Sequence, residues 1–146
     1  MSRGYSWRKL NEKKLTRVYL DEMRRDFPPT ELKPLSMILN SEAGGTAHTW
    51  GVFDGERLAA YLLMVRPAGS KVSQLDYFAV LPAYRAAGLG AQLLAELPQH
   101  EGGAQAILIE AECPDKAVDE AMAVRRLGFY ARCGARDSGF TEHLFD

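Results

Sequence analysis

The sequence predicts an α/β fold, a mixed β-sheet flanked by helices, with residues 1–146 forming one domain. Three observations lead there. Strand-like segments outnumber helical ones early in the chain, which argues against a uniform βαβ repeat. A tight-turn signal, Asp54-Gly55, joins two apolar runs and marks a hairpin. The unit from Val72 to Glu112 reads strand–helix–strand, which requires a parallel, right-handed crossover.

The elements follow in order. Tyr5 to Leu10 is a first strand. Lys13 to Phe27 is a helix, with Leu15, Val18, Tyr19 and Met23 near helical spacing. Pro28-Pro29 ends it, because consecutive prolines cannot continue a helix. Thr30 is expected to cap a second helix from Glu31 to about Ser41, closed by Gly44-Gly45. Ala47 to Phe53 and Arg57 to Val65 form the hairpin, and a turn over Pro67-Ala68-Gly69-Ser70 leads into a strand from Val72 to Val80. A helix follows from about Gly88 to Leu97, stopped by Pro98. Ala106 to Glu112 is a strand, Pro114-Asp115 opens a helix to about Cys133, and a last extended piece covers Arg136 to Phe145. The order is therefore β-α-α-β-β-β-α-β-α-β.

Composition excludes several classes. A formal charge of −1 gives no global attraction to nucleic acid or to an anionic membrane. No apolar run reaches the roughly 18 residues of a membrane span. The opening MSRGYSWRKLNEKK lacks an apolar signal-peptide core, and two cysteines, Cys113 and Cys133, are too few for a disulfide framework. A reduced, cytoplasmic protein is expected. His48, His100 and His143 are scattered without ligand spacing, so no metal site is expected. No serine-nucleophile motif is present, and Cys113 reads as a buried, inert thiol. Trp7 and Trp50 read as core or half-buried strand residues. Arg24-Arg25, balanced by Asp21, Glu22 and Asp26, reads as a solvated helix face.

Chemistry concentrates between the Val72–Val80 strand and the helix after it, at Arg85-Ala86-Ala87-Gly88-Leu89-Gly90. The first turn of a helix carries N–H groups without intrahelical partners, and its dipole adds positive potential. Glycines allow close backbone approach, and Arg85 brings a fork of donors. The result is a pyrophosphate cradle. It is neither a dinucleotide fingerprint, which needs a third glycine, nor a P-loop, since Ala91-Gln92 follow Gly90 where Lys-Ser/Thr would stand.

The segment YFAVLPAYRAAGLGAQLL, with R-x-x-G-x-G behind a Val-x-Pro-x-Tyr lead-in, closely resembles the core motif of the GNAT superfamily of N-acetyltransferases, of the small bacterial type. That resemblance implies a GNAT-like acyl-CoA N-acyltransferase fold with acetyl-CoA as cosubstrate. The amides of Arg85, Ala86, Ala87, Gly88, Leu89, Gly90 and Ala91 would hold the pyrophosphate. The backbone of Phe78, Ala79 and Val80 would pair with the pantetheine arm, beside a bulge in that strand. Val80 to Gly90 is thus the expected coenzyme grip.

The reaction would be direct attack of a neutral amine on the thioester in a ternary complex. An alkylamine is normally protonated near pH 7, so a carboxylate, directly or through water, would help remove a proton. Alternation puts Glu110 and Glu112 on one face at the C-terminal end of their strand, where open α/β sheets bind ligands. Glu110 is the favoured base or acceptor anchor; Glu112, Asp76 or a water are alternatives. Phe129-Tyr130-Ala131-Arg132-Cys133-Gly134 resembles the family's late motif, which implies Tyr130 as the acid for the departing thiolate. Ala135 replaces the usual phenylalanine there, and Ala123 and Arg126 stand where many relatives have Asn-x-x-Ala. About 13 residues follow Cys133, so the last strand is expected to be either abbreviated or completed by a partner subunit in a homodimer. Phe27 to Glu31 sits where the family frames its acceptor, and a rigid interhelix turn explains it equally well. A small-molecule amine is the expected acceptor, with no nucleic-acid or membrane partner. A non-catalytic acyl-CoA sensor and a protein or tRNA-linked amine acetyltransferase are the competing functions.

Overall fold

The structure is a computed structural model, and it describes residues 4–85 and 88–109. Among the described residues five strands form one sheet in the order β1-β2-β3-β4-β5; the helix expected to Cys133 and the extended piece expected over Arg136 to Phe145 lie outside them. The strands are β1 (Ser6–Lys9), β2 (Ala47–Asp54), β3 (Arg57–Val65), β4 (Val72–Val80) and β5 (Ala106–Ile109). Neighbouring pairs from β1 to β4 are antiparallel, and β4–β5 is parallel. That is the mixed sheet the sequence predicts. The crossover between β4 and β5 is helix α3 (Leu89–His100).

Helix α1 starts at Glu12, where Asn11 caps it by accepting from the N–H of Lys14 at 2.8 Å. Its first part, Glu12–Val18, is regular. Over Tyr19–Met23 the helix widens to a π-turn, and it resumes as Arg24–Asp26. The widened turn inserts a residue, so the buried positions run Leu15, Val18, Met23 with a step of five at the end. Phe27 then leaves the helix in an extended conformation, ahead of the prolines.

The second helix differs from expectation. Glu31 and Leu32 form a turn whose N–H groups both bond the carbonyl of Pro28. Helix α2 begins only at Leu35 and runs to Ala43, and Thr30 caps nothing. Lys33 precedes Pro34, and a residue before proline is pushed out of the helical region, so the helix must start beyond it. Helix α3 also runs further than expected, past Pro98 to His100. A proline in the last turn removes one hydrogen bond, and the N–H of Glu101 still closes the end on the carbonyl of Leu97 at 3.0 Å. The hairpin turn itself falls on Gly55-Glu56, one residue later than read, with Asp54 paired to Arg57.

The sheet buries both faces. Ala60, Leu62 and Met64 point to the α3 side and pack with Leu89, Leu93, Leu94 and Leu97. Tyr61 and Leu63 point to the other side and pack with Leu15, Val18 and Met23 of α1 and Ile38 of α2. Each fully buried leucine stabilises the fold by about 1.5–3 kcal/mol.

A polar node pins the far end of α3 to the sheet. The side chain of Glu101 has 1% of its surface exposed. It accepts from Trp50 Nε1 at 2.8 Å, Ser73 Oγ at 2.9 Å and Arg66 Nη2 at 3.3 Å, and lies 2.6 Å from His48 Nε2. One carboxylate thereby ties α3 to β2, β3 and β4. His100 stacks on Trp7 with ring centroids 4.0 Å apart.

Candidate cofactor and acceptor site

The site is built around a single extra residue in β4. Register runs Leu63↔Tyr77 and then Met64↔Leu75, which leaves Asp76 unopposed as a β-bulge. Two consequences follow. Leu75 belongs to the α3-side core and Tyr77 to the α1-side core, although residues two apart in a regular strand share a face. The backbone changes its pointing as well. The N–H of Leu81 bonds the carbonyl of Ala59 at 2.8 Å, so Leu81 and Ala59 form a hydrogen-bonded pair. Alternation then gives Ala79↔Tyr61 and Tyr77↔Leu63 as the other such pairs. The N–H and C=O groups of Phe78 and Val80 therefore point away from β3, toward the β5 side of the strand. The described β4–β5 pairing reaches Leu75↔Ile109.

Asp76 and Tyr77 both reach the segment before α2. Asp76 Oδ2 pairs with Lys33 Nζ at 2.8 Å. The Tyr77 hydroxyl accepts from the N–H of Lys33 at 2.9 Å and donates to the carbonyl of Glu31 at 2.8 Å. Burial, first, and then the Asp76 charge raise the Tyr77 phenol above its ordinary value, against the opposing effect of the Lys33 N–H.

Beyond the bulge lies a cavity of about 480 Å³, lined by Arg25, Asp26, Phe27, Phe78, Ala79, Val80, Pro82 and Arg85. It brings together the end of α1, the end of β4 and the turn before α3. A second cavity of about 530 Å³, along α2, is lined by Pro34, Ser36, Met37, Asn40, Ser41 and Thr46 and has no charged wall.

The first cavity is charged by an alternating row. Arg25 Nη2 lies 2.6 Å from Glu22 Oε2, and Arg25 Nε donates to Asp26 Oδ1 at 3.1 Å. Arg85 Nη2 reaches the same Asp26 Oδ1 at 3.4 Å. Tyr61, wholly buried, donates its hydroxyl to Asp26 Oδ2 at 2.8 Å. Burial raises the Tyr61 phenol far above its ordinary range, and the hydrogen bond to Asp26 and that carboxylate's charge add to the effect. The Asp26 side chain is only 7% exposed. Asp26 is thus a buried, fully engaged carboxylate and not part of a solvated helix face. The π-turn in α1, which shifts the last turn by one residue, is what carries it inward.

The turn into α3 starts with Pro82–Tyr84, whose Tyr84 hydroxyl donates to Asp54 Oδ2 at 2.9 Å at the tip of the β2–β3 hairpin. Arg85 follows in an extended conformation, and its Nε donates to the carbonyl of Val80 at 2.8 Å. Gly88 has φ 75° and stands immediately before α3. That left-handed conformation is what requires glycine, since a Cβ there would meet nothing within 4 Å. Leu89, buried, anchors the first turn of α3 in the core, and Gly90 and Ala91 continue it.

The structure therefore draws Phe78, Ala79, Val80 and Arg85 to one cavity, with Gly88 to Ala91 opening the helix beyond it. Ala79 spends its backbone groups on Tyr61, so only its side chain serves the cavity wall. Asp76 is held by Lys33 and does not line the cavity. Ala86, Ala87, Glu110, Glu112 and Tyr130 lie outside the described residues. Strand β5 is described as far as Ile109: Ile107 and Ile109 pack toward α3, whereas Ala106 and Leu108 are exposed. Asp26 and Tyr61 were not legible as site residues. The one signal was the five-residue step from Val18 to Met23, followed by a charged pair directly before Phe-Pro-Pro.

A family model described as the acetyltransferase (GNAT) family matches residues 12–135. The chain belongs to that family. Membership places it among acyltransferases, and the GNAT family uses acetyl-CoA. Solved structures show the same fold at low identity. A protein from Bacteroides thetaiotaomicron assigned to the GNAT family is 24% identical, with 87% of this chain and 69% of that chain covered and a TM-score of 0.69. An aminoglycoside acetyltransferase from an uncultured soil metagenomic sample, in complex with sisomicin, is 12% identical over 97% and 95% of the chains, with a TM-score of 0.67. A predicted acetyltransferase from Clostridium acetobutylicum, with acetyl-CoA, is 14% identical over 97% and 96%, with a TM-score of 0.66. No curated protein matches the chain. Among the described residues no helix is long and apolar enough to cross a membrane, and no cluster of side chains could hold a metal ion.

Proposed function

We propose that this GNAT chain is an acetyl-CoA-dependent N-acetyltransferase acting on a primary amine of a small molecule, in the cytoplasm of a bacterium. The observation that carries the reading is the backbone of Phe78 and Val80. Their polar groups turn away from β3 beside a cavity; the Val80 carbonyl is taken by Arg85 Nε, and the other backbone groups in such a position need partners of their own. An extended pantetheine arm with alternating amides offers them, as an added strand would. Acetyl-CoA would supply the acetyl thioester there. The N–H of Phe78 or Val80 would polarise the thioester carbonyl and hold the developing oxyanion. The N–H groups after Gly88, with Arg85, would hold the pyrophosphate.

Proton transfers fall to groups placed by the sequence. Glu110, directly or through a water, takes the proton from the attacking amine. Tyr130 gives a proton to the departing thiolate. The amine attacks directly, so no acyl-enzyme forms. The aminoglycoside-acetylating relative favours small polyamine-like acceptors over protein or RNA. So does a formal charge of −1, which gives no attraction to RNA.

Calorimetric titration with coenzyme A, followed by free-thiol release from acetyl-CoA across a panel of primary amines, tests the reading. Binding with amine-dependent thiol release is the expected result. Binding without release on any amine would favour an acyl-CoA sensor, and no binding would remove the proposal. Tyr130→Phe is expected to lower kcat while leaving coenzyme affinity in place; an unchanged kcat would remove Tyr130 from the mechanism.

A further inference from the structure

The Arg85 guanidinium touches both halves of the site at once. Its Nε takes the carbonyl of Val80 at 2.8 Å, and its Nη2 takes Asp26 Oδ1 at 3.4 Å. The side chain is 53% exposed, whereas that of Asp26 is 7% exposed. We propose that Arg85 is a latch: it neutralises Asp26 in this structure, and a coenzyme A pyrophosphate that draws Arg85 away makes Asp26 a binding group for the ammonium of the acceptor. The inference rests on the acetyl-CoA reading above and adds to it an acceptor-binding residue.

Charge counting supplies the reason. Glu22, Arg25, Asp26 and Arg85 form a row of alternating sign that sums to zero. Moving Arg85 to a phosphate leaves two carboxylates with one guanidinium, and so one negative charge without compensation at the cavity wall. Asp26 cannot rotate outward to be hydrated, because Tyr61 holds Oδ2 from inside the core. An uncompensated charge at a desolvated position is costly, and a primary ammonium in the cavity restores balance. The coenzyme offsets the loss of Asp26 for Arg85. A pyrophosphate offers the same fork two charged groups. The carbonyl of Val80 is released in the same motion, on the side where the pantetheine arm would lie. One movement of Arg85 therefore frees both the Val80 carbonyl and Asp26.

Two titrations test this. In the first, coenzyme A binding is measured by calorimetry for wild type, Asp26→Asn, Arg85→Ala and the double variant. Asp26→Asn is expected to tighten coenzyme A roughly two- to fivefold, because a competitor for Arg85 is weakened. The same change in the Arg85→Ala background is expected to have no effect. The amide oxygen introduced by Asp26→Asn can still accept from Tyr61, so the variant keeps that contact. In the second, n-propylammonium is the probe, followed by the amide NMR shifts of Asp26 and Tyr61. Wild type is expected to bind it several-fold tighter with coenzyme A than without. Arg85→Ala is expected to bind it equally with or without coenzyme A. Weaker or unchanged coenzyme affinity in Asp26→Asn, or propylammonium binding in wild type that ignores coenzyme A, would overturn the latch while leaving the cofactor reading intact. A wild-type protein that does not bind coenzyme A would overturn both.

Discussion

Tyr61 donates its hydroxyl to Asp26 at 2.8 Å, from a ring with no exposed surface. The bond joins the centre of the sheet to the last turn of α1, where the cavity begins. Tyr61→Phe keeps the packing and removes the donor, leaving a buried carboxylate oxygen short of a partner. Destabilisation of about 1.5–3 kcal/mol is expected, the range for hydrogen bonds to charged groups. Urea titration at pH 7 measures it; a change below about 0.5 kcal/mol would mean that the oxygen finds water instead.

Alkaline stability should report the same residue. The phenols of Tyr61 and Tyr77 are raised in the folded protein from the ordinary value of 10.0. Above that value the unfolded chain loses these protons and the folded chain keeps them, so stability is full below pH 10 and declines as pH rises beyond it. Melting temperature measured from pH 8 to pH 11 should show the decline, and Tyr61→Phe should make it shallower. An equal slope in the variant would contradict the assignment.

Glu101 has the opposite sign. Burial alone would raise its carboxyl, but hydrogen bonds from His48, Trp50 and Ser73 outweigh that and hold it below its ordinary 4.5. Its contribution is therefore present above pH 4.5 and lost as pH falls through the folded value. Glu101→Gln is expected to cost about 1–3 kcal/mol at pH 7. It should also flatten the acid limb of the stability curve, which chemical denaturation between pH 3 and pH 7 would reveal.

Gly88 and Gly51 are sensitive for different reasons. Gly88→Ala places a side chain at φ 75° in open space, so its cost is backbone strain of about 1–2 kcal/mol. Coenzyme A affinity should fall with it, which calorimetry checks. Gly51→Ala would put a Cβ 2.6 Å from Leu10 Cδ2 and 2.8 Å from Phe53 Cε2. Overpacking of about 1–3 kcal/mol is expected, with coenzyme affinity unchanged. Reversing the two phenotypes would refute both readings.

The strands, the hairpin and the glycine-led helix entry were legible because each depends on local rules: alternation, turn chemistry and a positive φ. The start of α2 was misplaced because Thr30 is a good cap in isolation, while Lys33-Pro34 forbids the helix three residues later. Two features left almost no mark. Leu75-Asp76-Tyr77 reads as unbroken apolar–polar–apolar alternation, so the bulge that separates Leu75 from Tyr77 carries no glycine or proline to announce it. Asp26 reads as one more charge in a charged turn, and only the π-turn upstream turns it toward Tyr61. Both features are one-residue insertions into a periodic element, and periodicity is the signal that such insertions erase.

Asp76 acts on β4 as an inserted letter acts on a reading frame. Upstream of it, residues of one parity meet β5; downstream, the other parity does, and the polar edge offered to the cavity belongs to Phe78 and Val80 for that reason alone. Were the same residues paired without the bulge, Leu75 and Tyr77 would share a face and the parity on one side of Asp76 would be exchanged; excising Asp76 instead would straighten the strand and leave each remaining side chain on its present face. Replacements at Asp76 that keep the residue count should therefore keep Phe78 and Val80 facing the cavity, since the parity of the strand depends on a count of residues more than on their chemistry.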